Sequence, residues 1–270
     1  MALTPFQRTI CRVIADHRIQ SGEAYVAGGA ALNELTGASR LSRDIDLFHD
    51  TDAALQATWL ADRRLLEDRG FAVHVRRLHP SLVEAEVRGE GEAVRVEWAR
   101  DSSFRFFPLV THAEFGLTLH PVDLATNKVL ALVGRVEVRD WIDVMTSHHR
   151  IQPLGYLAWA ACGKDPGFGP ASILEHAART SRYSAAEVAR LAFAGDPPDA
   201  AELSRTWHRI LAEAKAITET LPPAQTGTCV LSMDGDLCRA AIGELSALVA
   251  EGSLLFHAGT IRGAFPQLRI

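Results

Sequence analysis

Apolar positions along the first hundred residues change period several times, and each change predicts an element. Phe6, Ile10, Val13 and Ile14 recur at helical spacing, which predicts a helix over Pro5 to Arg18 ended by Ser21-Gly22. Ala24 to Ala27 reads as a short apolar strand, Ala30 to Thr36 as a helix with Gly37 as its C-cap, and Asp44 to Phe48 as a second strand. Asp52 to Asp68 returns to helical spacing and stops at Gly70. Phe71 to Leu78, Leu82 to Val87 and Ala93 to Trp98 then alternate as three strands, with turns at His79-Pro80 and Gly89-Glu90-Gly91. The order predicts a small α+β domain with a mixed sheet.

The character changes at Pro121, which suits the first turn of a helix. Helical patterns follow over Val122 to Val133, Val138 to His148, Leu154 to Ala161, Pro170 to Thr180, Ala185 to Phe193 and Ala200 to Thr220. The last fifty residues are mixed. They hold an apolar Cys229 to Leu231, a turn at Asp234-Gly235-Asp236, a helix from Leu237 to Ala250 and a strand-like Ser253 to His257. The predicted organisation is a domain over residues 1–118 and a mainly helical region over 119–270.

Composition narrows the class without choosing a function. At 270 residues, 47% hydrophobic and 23% charged, the chain has the make-up of a globular protein. No apolar run is long enough to span a bilayer, and the first residues lack the pattern of a signal peptide. Cys11, Cys162, Cys229 and Cys238 are scattered, without Cys-x-x-Cys spacing. The expectation is a reduced, cytoplasmic protein with no structural zinc. A net charge of −5 argues against a generic nucleic-acid binder and leaves room only for a local basic strip.

Candidate chemistry concentrates early. Gly28-Gly29 sits between a strand and a helix, where glycines let the backbone approach a phosphate and the helix end offers free N–H groups. Asp44 and Asp46 share one face of their strand, while Ile45 and Leu47 take the other. Two carboxylates so close repel unless a cation lies between them, which suits metal-assisted phosphoryl or nucleotidyl transfer. Ser42, with Arg40 and Arg43, supplies groups for phosphate oxygens or for orienting the carboxylates; the plainer alternative for each arginine is a surface ion pair. A third carboxylate is expected at Glu97, which alternates with Val96 and Trp98. Glu84, Glu86 and Asp101 rank behind it. His148-His149, the loop 163–169 and Asp234-Gly235-Asp236 carry no comparable pattern.

The run Gly-Gly-x-Ala-Leu followed by Arg-x-Ser-x-Asp-Ile-Asp-Leu-Phe resembles the start of AbiEii/AbiGii-type nucleotidyltransferases of the polymerase-β superfamily. Downstream, Asp123 to Leu132 and Arg139-Asp140-Trp141-Ile142-Asp143 resemble that family's Asp-x-x-x-x-Lys helix and Arg-Asp-x-x-Asp sequence. Glu97 stands where an aspartate is more usual. The resemblance implies a polymerase-β-like N-terminal domain that uses an NTP and Mg2+ or Mn2+, with Asp44, Asp46 and Glu97 as metal ligands. It implies Gly28, Gly29, Ser42, Arg43 and Lys128 as nucleotide contacts, and Lys128 and Asp143 as site residues from the helical region, with Arg139 and Asp140 supporting them. Lys128 and Arg135 also lie seven apart, on one face of a continuous helix. An ion pair of Asp140 with Arg139 is the simpler alternative there. The implied setting is a toxin-type or phage-defence enzyme acting on RNA such as tRNA, with a cognate antitoxin as partner. The rivals are a small-molecule, aminoglycoside-like nucleotidyltransferase and a non-catalytic nucleotide-binding, antitoxin-like module.

Overall fold

The computed structural model describes residues 3–179 and 183–267. The chain folds into two units that are each discontinuous in sequence. The first takes the chain up to Ser103, Leu109–His120 and Ala192–Gly195; the second takes Phe104–Pro108, Pro121–Leu191 and the chain from Asp196 onward.

The first unit contains helix α1 (Pro5–Ser21), strand β1 (Ala24–Ala27), α2 (Gly28–Thr36), β2 (Asp44–His49), α3 (Asp52–Asp68), β3 (Ala72–His79), β4 (Leu82–Gly89) and β5 (Glu92–Arg100), joined by β7 (Val110–His112) and β8 (Gly116–Thr118). Seven strands form one mixed sheet in the order β3-β4-β5-β2-β1-β8-β7. Strands β2 and β5 are parallel, β1 is antiparallel to β2, and β8 runs parallel to β1. Inward side chains alternate as the pleat requires: Ile45 and Leu47, then Val94, Val96 and Trp98, then Val83, Ala85 and Val87, are all buried. Helices α1 and α3 pack on this sheet. The rings of Trp59 and Trp98 meet edge-to-face at 4.8 Å, and the Trp98 indole N–H donates to Asp62 Oδ2 at 2.9 Å.

Asp62 is fully buried, and its other oxygen lies 3.2 Å from Nδ1 of His17. The hydrogen bond to Asp62 raises the His17 pKa against the opposing effect of burial. Protonated His17 therefore favours the folded state. Its contribution is complete below the unfolded value of about 6.5 and is lost as pH rises through the raised folded value. In thermal melts, the gap between wild type and His17→Gln should be widest at acidic pH and close at alkaline pH. A pH-independent gap would remove the pair from the stability account.

The second unit begins with β6 (Phe104–Arg105) and continues through α4 (Pro121–Arg135), α5 (Val138–Arg150), α6 (Leu154–Lys164), α7 (Pro170–Ala178), α8 (Ala185–Ala189), α9 (Ala200–Thr220), β9 (Thr228–Leu231), α10 (Ile242–Glu251), β10 (Leu255–Ala258) and β11 (Thr260–Ile261). Helix α6 is buried along nearly its whole length, as expected of an apolar helix with no polar stripe. Tyr156 and Trp159 on α6 pack with Ile217, Leu221, Val230, Leu245 and Leu254 in one core. Fully buried Asp123, near the start of α4, accepts the amides of Phe106 and Phe107 at 2.9 and 3.1 Å and pairs with Lys164 at 2.8 Å.

Two helices are shorter than the sequence expectation. The helix expected over Ala185 to Phe193 stops at Ala189. Beyond it the chain turns extended: Phe193 bridges to Arg40, Ala194 donates its amide to Ser39, and Ala192 accepts from the Leu41 amide. The helix expected from Leu237 starts at Ile242, because the Cys238 amide bonds to Val230 instead. The expected end of the α7 helix, Thr180, lies outside the described residues. Among the described residues no helix is long and apolar enough to cross a membrane.

Candidate active site

Strand β2 carries the paired aspartates. Ile45, Leu47 and His49 are buried, so Asp44, Asp46 and Phe48 face the opposite side of the sheet, where they are partly exposed. Across the parallel pairing, Asp46 is opposite Glu97 and Asp44 is opposite Arg95; across the next pairing, Glu97 is opposite Glu84. Partnered residues on adjacent strands, about 4.8 Å apart, point the same way. Five carboxylates therefore share one face, since Glu86 stands opposite Arg95. Burial first, and then the charge of Asp46, raises the Glu97 pKa, with Arg95 opposing. The guanidinium of Arg95 forks onto Asp44, Nε to Oδ1 at 2.9 Å and Nη2 to Oδ2 at 2.5 Å. Of the acids ranked behind Glu97, Glu86 is taken by Arg76 and Arg88, and Asp101 accepts the Ser102 amide at 2.7 Å.

The glycine pair borders the same acids. Gly28 opens α2 with a left-handed φ of +66°, and a Cβ built on it would fall onto the Asp46 carboxyl group. At Gly29 a Cβ would lie 2.5 Å from Arg40 Nη2 and 3.4 Å from Ser42 Oγ. The N-cap residue, Ala27, supplies no side-chain hydrogen bond to the first turn. The start of α2 thus lies beside a carboxylate, a buried guanidinium and a hydroxyl, with amides that no capping side chain has claimed. Ser42 Oγ donates to the Asp44 carbonyl at 3.1 Å, which ties the entry of β2 to this corner. Arg43 is exposed. Gly28→Ala should cost both backbone strain and the position of Asp46. We expect at least a tenfold loss of any activity that needs Asp46, read as kcat on the folded variant. Full activity would mean that the close approach has no functional role.

Lys128 and Asp143 come together in the second unit. Lys128 Nζ lies 3.0 Å from Asp140 Oδ1 and 3.1 Å from Asp143 Oδ2. Both aspartates are fully buried and Lys128 is 6% exposed. Arg135 joins from the last turn of α4, with Nε 2.7 Å from Asp140 Oδ2. Burial pushes the Asp140 carboxyl up, but Arg135 and Lys128 more than offset it and hold it below its usual range. The shared helix face of Lys128 and Arg135, seven residues apart, explains why both reach one carboxylate. Arg139 does not pair with Asp140; its partner is Glu137 at 2.6 Å. His148 accepts the Leu154 amide at 3.1 Å, and burial lowers its pKa to about 4.

The donor set on β2 and β5 has the chemistry of a hard-cation site. Carboxylate oxygens suit Mg2+ and Mn2+, and a cation would relieve the charge of Asp46 that adds to burial in raising the Glu97 pKa. As placed, the carboxylates do not converge: among the described residues no group of three or more His, Cys, Asp or Glu could hold a metal ion. The residue types fit, with the Asp44 oxygens engaged by Arg95. The pairing of Arg95 with Asp44 comes from the parallel register, which no local pattern encodes.

Comparison with known proteins adds a family. The sequence model described as nucleotidyl transferase AbiEii toxin, type IV toxin–antitoxin system, matches residues 12–154. No curated protein matches the chain. Among solved structures, a candidate nucleotidyltransferase from Helicobacter pylori is 14% identical with a TM-score of 0.47, covering 79% of this chain and 94% of that one. JHP933 from Helicobacter pylori is also 14% identical with a TM-score of 0.47, covering 80% and 94%. The Thermotoga maritima CCA-adding enzyme complexed with tRNA is 14% identical with a TM-score of 0.30, covering 83% and 56%.

Proposed function

The chain belongs to the AbiEii nucleotidyltransferase toxin family, and on that premise we propose that it moves an NMP from an NTP to an acceptor hydroxyl in a divalent-metal-dependent reaction. The observation that carries this reading is the Asp46–Glu97 register pair set beside the glycine opening of α2. Asp44, Asp46 and Glu97 would hold Mg2+ or Mn2+, which when bound neutralises charge on the triphosphate. The amides at Gly28 and Gly29 would bind phosphate oxygens, with Ser42, Arg40 and Arg43 beside them. Glu97, with its raised pKa, suits a base that takes the acceptor's hydroxyl proton. The acceptor oxygen then bonds to the α-phosphorus and pyrophosphate leaves. Lys128 and Asp143 enter the proposal as the helical contribution; its support is that the family match spans them.

For the acceptor we propose RNA such as tRNA, and for the partner a cognate antitoxin, as the family's toxin–antitoxin description suggests. One surface feature favours a polyanion over a cationic small molecule. On β3, His74, Arg77 and His79 are exposed and pair with Glu86, Glu84 and Leu82, which puts them on the sheet face that carries the acids. Arg77 supplies a positive charge there, and the two imidazoles offer rings on which RNA bases could stack. The test is incubation with each α-labelled NTP, Mg2+ and either total RNA or the small-molecule fraction of a lysate. Label in an RNA band supports the reading. Label only in small molecules would transfer the proposal to that class, and no transfer with any NTP would leave a nucleotide-binding module.

A further inference from the structure

The C-terminal end of α5 gathers positive charge that the proposed chemistry does not use. Its last turn holds His148, His149 and Arg150. Helix α9 packs against α5 through Trp207, whose ring meets that of Trp141 edge-to-face at 6.4 Å, and it carries Arg209 and Glu213 one turn apart. A third segment is fixed here by Gln152, whose Nε2 donates to the carbonyls of Val230 and Cys238 at 2.9 and 2.8 Å. Arg239 follows directly, and its Nη2 donates to the His149 carbonyl at 2.9 Å. Cations at a helix C-terminus complement its exposed carbonyls, which accounts for one donor of Arg239 and little else. Arg150, Arg209 and Arg239 are exposed, and among the described residues none of the three has a carboxylate within 4 Å. Arg135 and Arg139, in the same unit, are each matched by an acid. Glu213 lies beside His148 instead, 3.8 Å from its Nε2. Partial burial lowers the His149 pKa; Glu213 opposes this, while Arg239, Arg150 and Arg209 add to it. Three guanidinium charges thus act on one exposed imidazole, on a chain whose net charge is −5.

We propose that Arg150, Arg209 and Arg239 form a docking surface for the phosphate backbone of RNA, with the exposed ring of His149 beside them for a base to stack on. Guanidinium groups match phosphate oxygens two at a time. Arginines brought side by side from three segments of the chain suit a run of phosphates, which also offsets their mutual repulsion. The inference rests on the RNA reading above and deepens it, by naming a surface of the helical unit that takes the backbone of the acceptor.

The test is fluorescence anisotropy of the full chain with an end-labelled tRNA transcript, for wild type, R150Q, R209Q, R150Q/R209Q, R209K and, as a charge control, R64Q on α3. Arg239 stays in place because it caps α5. Wild type should bind. R150Q and R209Q should each weaken binding by about three- to tenfold, and the slope of log affinity against log salt should flatten by about 1 for each arginine removed. R209K keeps a point charge that phosphate accepts, so it should lose less than R209Q. Arg64 is exposed in the first unit, and R64Q should match wild type. The His149 imidazole, followed by NMR, should titrate higher with RNA bound, since phosphates beside it offset the arginines. An unmoved imidazole, a loss in R64Q equal to that in R209Q, wild-type binding by R150Q/R209Q, or no RNA binding by wild type would each overturn the inference. So would weaker binding of polyglutamate by R150Q/R209Q with RNA binding unchanged, which would give the surface to an acidic protein. Transfer of labelled NMP separates the inference from the reading beneath it. If wild type labels RNA and R150Q/R209Q binds RNA equally well, the RNA reading stands and the surface is refuted. If RNA binding depends on the arginines but RNA takes no label, the surface stands and RNA is refuted as the acceptor.

Discussion

Asp46→Asn should lower nucleotidyl transfer by about a thousandfold or more, the scale of losing one ligand and its charge from a metal-assisted phosphoryl-transfer site. The melting temperature should stay within about 2 °C, because asparagine keeps the shape that rests against Gly28 and removes a charge from an already acid-rich face. Asp46 has Glu97 as its register partner, so the variant also removes repulsion that favours protonation of Glu97. The pKa of Glu97, followed by NMR on the variant without metal, should move down. Transfer at the wild-type rate would remove β2 from the chemistry, and a collapsed melting temperature would make Asp46 a structural residue.

Lys128→Met should have the largest effect on stability. Two fully buried aspartates, Asp140 and Asp143, pair with this lysine at 3.0 and 3.1 Å. Removing one member of a buried ion cluster leaves an uncompensated charge and costs about 3–5 kcal/mol. For a chain of this size that corresponds to a fall in melting temperature of about 10 °C. Asp140 keeps Arg135, so the cluster should lose part of its charge pairing and not all of it. Denaturant melts of the variant beside wild type would show it. An unaltered melting curve with weakened NTP binding would instead give Lys128 a role confined to the triphosphate.

What was legible in the sequence is what local periodicity carries. The alternation of Asp44-Ile45-Asp46-Leu47 set which face of β2 is buried, and the structure has that pattern. The two motifs that resembled the family lie within the stretch that the family model matches. What was not legible depends on pairing over long separations. Nothing near Arg95 indicates Asp44, fifty-one residues away, since the contact exists only because β2 and β5 are parallel neighbours. The alternative ion pair of Asp140 with Arg139 does not form, for a related reason. Arg139 is adjacent in sequence, but adjacent helical residues point apart, so Arg139 turns to Glu137 while Lys128 and Arg135 arrive from another helix. Phe193 was read as helical from its apolar neighbours, and its place is fixed instead by a bridge to Arg40.

That bridge bears on how the protein is made. Residues 39–41, which lead into the acid-bearing strand, take backbone hydrogen bonds from a segment ending at Gly195. A growing chain emerging from the ribosome can lay down α1, β1, α2 and β2 early, yet it cannot secure the approach to Asp44 until more than two-thirds of the 270 residues have been synthesised. The loop that leads into the acid-bearing strand is therefore tied down only after all the strands that carry the acids have been synthesised.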